Sequence, residues 1–391
     1  LDADARRLPA ECRAVVTAAG AALRVQQPQA EPVEQVRPDL VGPPWCDRMA
    51  RALAALRDVS DRGEAAGLPD RVRLLDVLDL EPPSAEAVTA RWLAGGRSTE
   101  AVIGVGVDRT YAVDLRRDGP HGLVAGTTGS GKSELLQTLV AALAVANRPD
   151  EMTFVLVDYK GGAAFRECAE LVHTVGLVTD LDGHLTERAL ESLAAELRRR
   201  ERILLQAGTK DLDDHCRLRD TDGSVEPLPR LLIVIDEFAS LVAELPEFVA
   251  GLVDIARRGR SLGVHLLLAT QRPAGVVTAD IRANTNLRIA LRVTDEMESK
   301  DVIDAGDAAK IAKTTPGRGY ARTGHSTLMP FQAGRVGGAR PGRAGAGLER
   351  PAPLAWPVPW PLVGRPAPRR PRGAGGPATD EGDTDLSDLV A

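Results

Sequence analysis

An α/β fold with a mostly parallel central sheet covered by helices is the architecture this sequence predicts, and three observations carry the prediction. Between about residues 100 and 336, short apolar runs alternate with segments of helical periodicity. Several runs, Leu231-Leu-Ile-Val-Ile235 among them, are apolar without interruption, as strands buried on both faces are. A glycine-rich loop joins one such run, Leu123–Ala125, to an amphipathic segment in which Leu135, Leu136, Leu139, Val140 and Leu143 share one helical face.

The loop reads Gly126-Thr-Thr-Gly-Ser-Gly-Lys132-Ser133 and fits the Gly-x4-Gly-Lys-Ser/Thr pattern of a phosphate-binding loop. Gly126, Gly129 and Gly131 let the backbone curl so that N–H groups converge on phosphate oxygens. Lys132 is placed for the β- and γ-phosphates and Ser133 for Mg²⁺. The predicted ATP-binding set is Gly126, Thr127, Thr128, Gly129, Ser130, Gly131, Lys132, Ser133 and Glu134. The last of these open a helix whose N-terminal dipole favours an anion.

The remaining elements follow in order. Ala10–Ala19 reads as a strand or a helix edge. Gln26–Pro44 holds five prolines and few apolar residues, and reads as extended linker. Trp45–Val59 reads as a short amphipathic helix. Residues 1–60 thus resemble the end of a preceding domain. Residues 61–99 read as a linker segment, with an apolar stretch at Val72–Leu80 and a helix at Ala85–Leu93 capped by Ser84. Ile103–Val107 and Tyr111–Leu115 form a hairpin leading into the loop strand. Within the main domain, 100–336, the strands are Leu123–Ala125, Phe154–Asp158, Val175–Thr179, Leu231–Asp236, Val264–Thr270 and Arg288–Val293. A long helix, Thr186–Gln206, turns Leu190, Leu193, Leu197, Ile203 and Leu204 inward and closes at Gly208. Asp211–Glu226 reads as a polar surface loop and Glu247–Ala256 as a helix. Residues 337–391 read as a disordered Pro/Gly/Arg-rich linker, with a helix starting near Leu386.

Composition sets bounds on function. A net charge of −6 does not mark the whole chain as a nucleic-acid binder, although a local basic lining would suffice for one. Cys12, Cys46, Cys168 and Cys216 lack metal-ligand spacing and read as buried thiols in a reducing compartment. No apolar run approaches the length of a membrane span. The chain opens Leu1-Asp-Ala without an initiator Met, which points to a piece of a longer polypeptide.

The catalytic candidates lie at strand ends, where ligands bind in open α/β sheets. Asp236 ends a five-residue apolar strand and is placed to hold Mg²⁺ together with Ser133. Glu237 is placed as general base for the attacking water. Gln271, after Leu266–Thr270, is placed to sense the γ-phosphate. Among Arg257, Arg258 and Arg260, Arg260 is the candidate arginine finger for a neighbouring subunit's nucleotide, with Arg282 and Arg288 in reserve. Asp158-Tyr-Lys160-Gly-Gly162 forms a further loop at the same sheet edge.

Together, HGLVAGTTGSGKSELLQTL, LLIVIDEFASL, GRSLGVHLLLATQRP and IRANTNLRIALRV resemble the FtsK/SpoIIIE family of ring-forming motor ATPases. VDYKGGAAF, TDLDGHLTERAL and ELRRRERILLQAG most resemble its type VII secretion members of the EccC kind. The resemblance implies a RecA-like P-loop core, ATP and Mg²⁺, a homo-oligomeric, hexameric ring, and a place at the cytoplasmic side of the membrane among other secretion-complex subunits. It implies that Lys132, Ser133, Asp236, Glu237 and Gln271 carry the cycle. It also implies that residues 380–391 begin a further motor domain. The expected cargo is a secreted protein. Double-stranded DNA is the alternative cargo, and a catalytically silent nucleotide-binding assembly module is the alternative function.

Overall fold

The structure is a computed structural model that describes residues 15–19, 22–26, 31–37, 42–53, 67–81, 83–107, 109–158, 164–179, 183–273, 279–324, 328–338 and 384–391. These fall in two compact units, one within residues 1–61 and the other within 62–347 together with 379–391.

In the first unit, strands β1 (Val15–Ala19), β2 (Ala22–Gln26) and β3 (Val33–Val36) form an antiparallel sheet in that order, followed by helix α1 (Pro43–Leu53). The stretch read as linker therefore contains a strand. Pro28, Pro32 and Pro38 flank Val33–Val36 and remove no ladder donor from it. The helix opens on Pro43-Pro44, because its first-turn N–H groups need no intrahelical partner. Cys46 is exposed rather than buried. Residues 10–14 and 54–59 lie outside the described residues.

The second unit opens with β4 (Val72–Arg73), α2 (Leu74–Val77), α3 (Ala85–Ala94), β5 (Glu100–Val105) and β6 (Thr110–Asp114). Next come β7 (His121–Ala125), α4 (Lys132–Ala146), β8 (Met152–Asp158), β9 (Thr174–Thr179), α5 (Gly183–Gln206) and α6 (Leu212–Thr221). It continues with β10 (Arg230–Asp236), α7 (Phe238–Glu244), α8 (Pro246–Leu262), β11 (Val264–Thr270), α9 (Ala279–Asn284) and β12 (Thr285–Leu291). Helix α10 (Glu296–Ile303), strands β13 (Arg318–Thr323) and β14 (Met329–Arg335), and α11 (Asp385–Val390) complete it. One sheet runs β6-β5-β14-β13-β12-β7-β11-β10-β8-β9, with β4 added beside β14. From β12 to β9 every neighbour is parallel, and the β6–β5–β14–β13–β12 flank is antiparallel.

Both faces of the parallel part are covered, which explains the unbroken apolar strands. Along β10, Leu232 and Val234 join the core under α4, whereas Leu231, Ile233 and Ile235 join the opposite core with Leu197 of α5 and Leu252 and Ile255 of α8. Between these layers β11 sits next to β7 and separates it from β10. That order lines up the ends of three strands: Ala125 pairs with Thr270, and Ile235 with Leu268.

Two expectations are corrected in this unit. The polar stretch after Asp211 is helix α6, not a loop. The Asp211 side chain caps it by accepting from Asp214 N–H, while Leu212, His215 and Cys216 give it a buried face at helical spacing. Helix α8 runs on to Leu262 and stops where Gly263 turns left-handed at φ 69°. Arg257, Arg258 and Arg260 therefore lie on its last turns rather than after it. The segment 67–99 is part of the same unit: Leu74 and Leu75 are fully buried, and β4 lengthens the β14 edge. At the other end of the chain, α11 packs on this unit too. Leu386 is buried in the core under α4, its N–H donates to Val336 O, and Arg73 grips Asp385 through Nε–Oδ2 at 2.6 Å and Nη2–Oδ1 at 2.7 Å.

Two buried polar groups make this core testable. Arg200 of α5 is 1% exposed. It pairs with Glu196 at 2.8 Å and donates to Leu262 O at 2.9 Å and Pro229 O at 2.7 Å, tying α5 to the end of α8 and the start of β10. Arg200→Ala leaves the Leu262 and Pro229 carbonyls without this donor, while Glu196 keeps its pair with Arg199. The expected loss is about 2–4 kcal/mol of unfolding free energy, measured by urea denaturation; a loss under about 1 kcal/mol would contradict this account.

His265, at the start of β11, is also enclosed. Its Nδ1–H donates to Pro120 O, and burial, helped by the nearby Arg230, His121 and Arg200, pulls its pKa down to about 3. An unfolded chain protonates this ring near pH 6.5, whereas the folded chain holds it neutral. The unfolded state thus binds the extra proton, and stability falls as pH drops from about 6.5 towards 3. Between pH 7 and pH 5 the contribution is roughly 2 kcal/mol. His265→Gln is expected to flatten the pH dependence of the denaturation midpoint by that amount. An unchanged slope would exclude His265 as its source.

Candidate functional site

The loop after β7 has the geometry of an anion cradle. Gly129 and Gly131 take left-handed φ values of 73° and 95°, which a side-chain-bearing residue adopts only under strain. A Cβ on Gly126 would stand 2.5 Å from Ser130 Oγ, so this position needs glycine for space rather than for φ. Ser130 Oγ is buried without a hydrogen-bond partner among the described residues. Lys132, Ser133 and Glu134 form the first turn of α4, where backbone N–H groups have no intrahelical acceptor. A ring of donors around a partnerless buried hydroxyl fits a polyphosphate.

Several tethers hold the loop in shape. Gly126 N–H donates to Thr270 O at 3.1 Å, Thr127 N–H to Arg292 O at 2.9 Å, and Gly317 N–H to Ser130 O at 2.8 Å. Arg292 also donates to Thr128 O at 3.1 Å. The roles of Arg292 and Gly317 are absent from the sequence reading. Only the pairing of β12 beside β7 and the return of the chain at β13 bring them to the loop, and no local pattern announces either. The Glu134 carboxylate is committed elsewhere, accepting Val336 N–H at 2.7 Å and Gly337 N–H at 2.6 Å. What Glu134 can offer a phosphate is its backbone N–H.

Lys132, 5% exposed, makes an ion pair with Asp236 at the end of β10. Asp236 Oδ1 also accepts Glu237 N–H at 2.9 Å. Glu237 is itself buried and holds φ 57°, ψ 47° at the turn from β10 into α7. A left-handed glutamate is uncommon, and such conformations cluster at functional sites. From β11, Gln271 accepts a hydrogen bond from Thr128 Oγ1 at 3.0 Å. Lys132, Asp236, Glu237, Gln271 and the glycine loop thus meet at one sheet edge, because β7, β11 and β10 are neighbours with their C-terminal ends level. A hydroxyl at Ser133 and a carboxylate at Asp236 are the hard oxygen donors that Mg²⁺ takes, completed by phosphate and water.

Asp158 ends β8 at the same edge, is buried, and accepts Ala164 N–H at 3.0 Å. Residues 159–163 of that loop lie outside the described residues. Arg260 is not part of this cluster. It lies just ahead of β11, at the opposite edge of the sheet, about 20 Å away by the rise of a seven-residue strand. There it lines a cleft of about 690 Å³ in which Arg116, Arg117 and Arg257 stand among Asp114, Asp211 and Asp213. Among the described residues Arg257 and Arg260 have no ion-pair partner, whereas Arg258 faces Glu201. Both reserve arginines are engaged: Arg282 with Asp301 and Asp304, and Arg288 with Asp304 and Gly324 O. Of the cysteines in this unit, Cys168 and Cys216 are buried, and burial pushes the Cys168 thiol up to about 12.

A parallel sheet with a Gly-Lys-Ser loop after one strand, an Asp-Glu pair after another, and a third strand between them defines a P-loop nucleoside triphosphatase with a RecA-like core. Within that class the chain belongs to the FtsK/SpoIIIE family, whose model matches residues 89–275. It is 40% identical over 285 residues to the type VII secretion system protein EssC of Staphylococcus aureus, an alignment covering 72% of this chain and 19% of that protein. The cytoplasmic domain of the Thermomonospora curvata type VII secretion ATPase EccC superposes with a TM-score of 0.66 at 32% identity, covering 82% of this chain and 34% of that one. A structure of ATPases 2 and 3 of the same EccC, in complex with a signal sequence peptide, gives a TM-score of 0.55 at 28% identity over 63% of this chain and 44% of that one. The chain thus spans 19% of the length of the EssC relative. No helix among the described residues is long and apolar enough to cross a membrane.

Proposed function

We propose that this domain is an ATP-hydrolysing motor that drives protein export of the type VII kind from the cytoplasmic side of a membrane. In this reading it works in a ring or stack of like domains with other secretion-complex subunits. The observation that carries the proposal is the meeting of Lys132, Asp236, Glu237 and Gln271 beside the glycine cradle.

In this account the N–H groups of the loop and of the first turn of α4 hold the phosphates, and Lys132 turns from Asp236 to the β- and γ-phosphates. The Lys132–Asp236 pair keeps two buried charges compensated until then. Ser133 and Asp236 hold Mg²⁺, which neutralises charge on the phosphates. Glu237 takes a proton from the attacking water. Gln271, between the loop and the Asp-Glu pair, registers whether the γ-phosphate is present and passes that state to β11. Arg260 is beyond reach of its own site, so its role is in trans. In the cleft it lines, Arg116 pairs with Asp213 and Arg117 with Asp118, which leaves Arg257 and Arg260 as the arginines available to a neighbouring subunit's triphosphate.

A protein cargo is favoured by the kinship to type VII secretion ATPases and by the signal sequence peptide bound to the T. curvata EccC ATPases. The test is ATP turnover by the chain with a secretion-signal peptide and, separately, with double-stranded DNA. Stimulation by the peptide is expected. Stimulation by DNA that disappears with added salt would transfer the assignment to a DNA translocase.

A further inference from the structure

We propose that the base and ribose of the bound nucleotide occupy the cavity between the outer face of the glycine loop and the β4–β14 edge, where Arg71 and Arg335 stack on a purine ring. This rests on the nucleotide reading of the loop and goes beyond it, because none of the loop residues touches a base by virtue of its pattern.

The cavity offers about 380 Å³ and is continuous with the loop: Gly129 and Gly131 form one wall, Pro316 and Gly317 another, and Arg71 and Arg335 line it from the two strand segments. Its size is in the range of small-molecule pockets, ~300–1,000 Å³. The walls are rigidly joined. Gly317 N–H donates to Ser130 O, and a Cβ on Gly131 would stand 2.7 Å from Gly317 N, so no residue separates the loop from this wall. Arg71 immediately precedes β4, and Arg335 ends β14 in register with Arg73. The sheet edge therefore fixes the two arginines on one side of the cavity.

The polar groups of the wall already satisfy one another. Gln332 Nε2–H donates to Pro316 O at 2.8 Å, and Gln332 Oε1 accepts from Arg318 Nε at 2.9 Å. Gly317 O accepts from Ala333 N–H, and Gly334 O from Thr138 Oγ1. Both Arg71 and Arg335 are exposed and have no ion pair or hydrogen bond among the described residues. A guanidinium is planar, weakly hydrated and a donor only. It stacks on any purine face, and it has no acceptor with which to select the adenine amino group over the guanine carbonyl. Recognition in this cavity is therefore by stacking, and the base is held firmly with little discrimination between purines. One wall comes from residues 71–72, so the segment that precedes the motor contributes directly to nucleotide affinity.

The experiment measures equilibrium binding of ATP, GTP and inorganic tripolyphosphate to the full chain and to R71A, R335A and R335K. The expected result is an ATP Kd raised about five- to tenfold by each alanine substitution, with tripolyphosphate unchanged and GTP within about tenfold of ATP in the wild type. R335K, which keeps the charge and loses the plane, is expected to behave as R335A does. An ATP Kd unmoved by both alanine substitutions would overturn the inference. So would parallel weakening of ATP and tripolyphosphate, which would make the arginines phosphate ligands, or an ATP preference over GTP beyond about 100-fold. Wild-type protein that binds neither ATP nor tripolyphosphate would instead overturn the nucleotide reading beneath it.

Discussion

Glu237→Gln is expected to slow ATP turnover by about 10²–10⁴-fold while leaving ATP affinity within about twofold. The two carboxylates at the end of β10 occupy different settings, and this is why the effects separate. Asp236 faces Lys132 and accepts the Glu237 N–H, and in the proposed mechanism it serves the phosphate and metal side of the site. Glu237 is one residue further, at the left-handed turn that redirects the chain into α7. Glutamine has the same length and the same backbone requirements, so it can occupy that turn without altering the fold. It cannot take a proton from water. Single-turnover hydrolysis and equilibrium binding on one preparation measure the two quantities separately. Turnover equal to that of the wild type would remove Glu237 from the chemistry.

Arg260→Ala is expected to lower turnover by about 10³–10⁵-fold in the assembled form, without changing nucleotide affinity. The argument is geometric. Arg260 lies at the edge of the sheet opposite Lys132 and Asp236, so it cannot help the site on its own chain, and it has no ion-pair partner among the described residues. Arg257→Ala, one helical turn earlier, is expected to have a much smaller effect. Mixing supplies the sharper check. An Arg260→Ala chain has an intact Glu237, and a Glu237→Gln chain has an intact Arg260. Random mixing of the two inactive variants in a head-to-tail ring should restore activity at about a quarter of the interfaces. Failure of the mixture to recover any activity, under conditions in which the wild type assembles, would exclude a finger acting in trans.

The candidate site was legible because its signals are local. A strand, a glycine loop and a helix follow one another at 121–146, and an acidic pair closes an unbroken apolar strand at 231–237. Each can be read in a short window, and each demands a particular backbone. Support for that site comes from far along the chain and was not legible. Arg292 and Gly317 hold the loop only because β12 pairs with β7 and β13 brings the chain back, and nothing near either residue encodes that pairing. The antiparallel strands β13 and β14 are short and mix Arg, Gln, Gly and Pro with apolar residues, so periodicity does not mark them. Helix α6 was hidden by its polarity, since only its Leu212, His215 and Cys216 face is buried and its cap is a single aspartate. The expected end of α8 at Ala256 falls short of the observed end at Leu262, because a run of charge says nothing about where a helix stops. Arg257, Arg258 and Arg260 are ordinary helix formers on the last turns, and Gly263 is what stops the helix.

Phosphate release from ATP, followed at steady state with the full chain over a wide range of protein concentration, tests the central claim most directly. The account predicts sustained turnover whose rate per subunit climbs with concentration, as neighbours bring Arg260 to each site. Bound ATP with no phosphate released above background at any concentration would contradict it, and would leave a nucleotide-binding module in place of a motor.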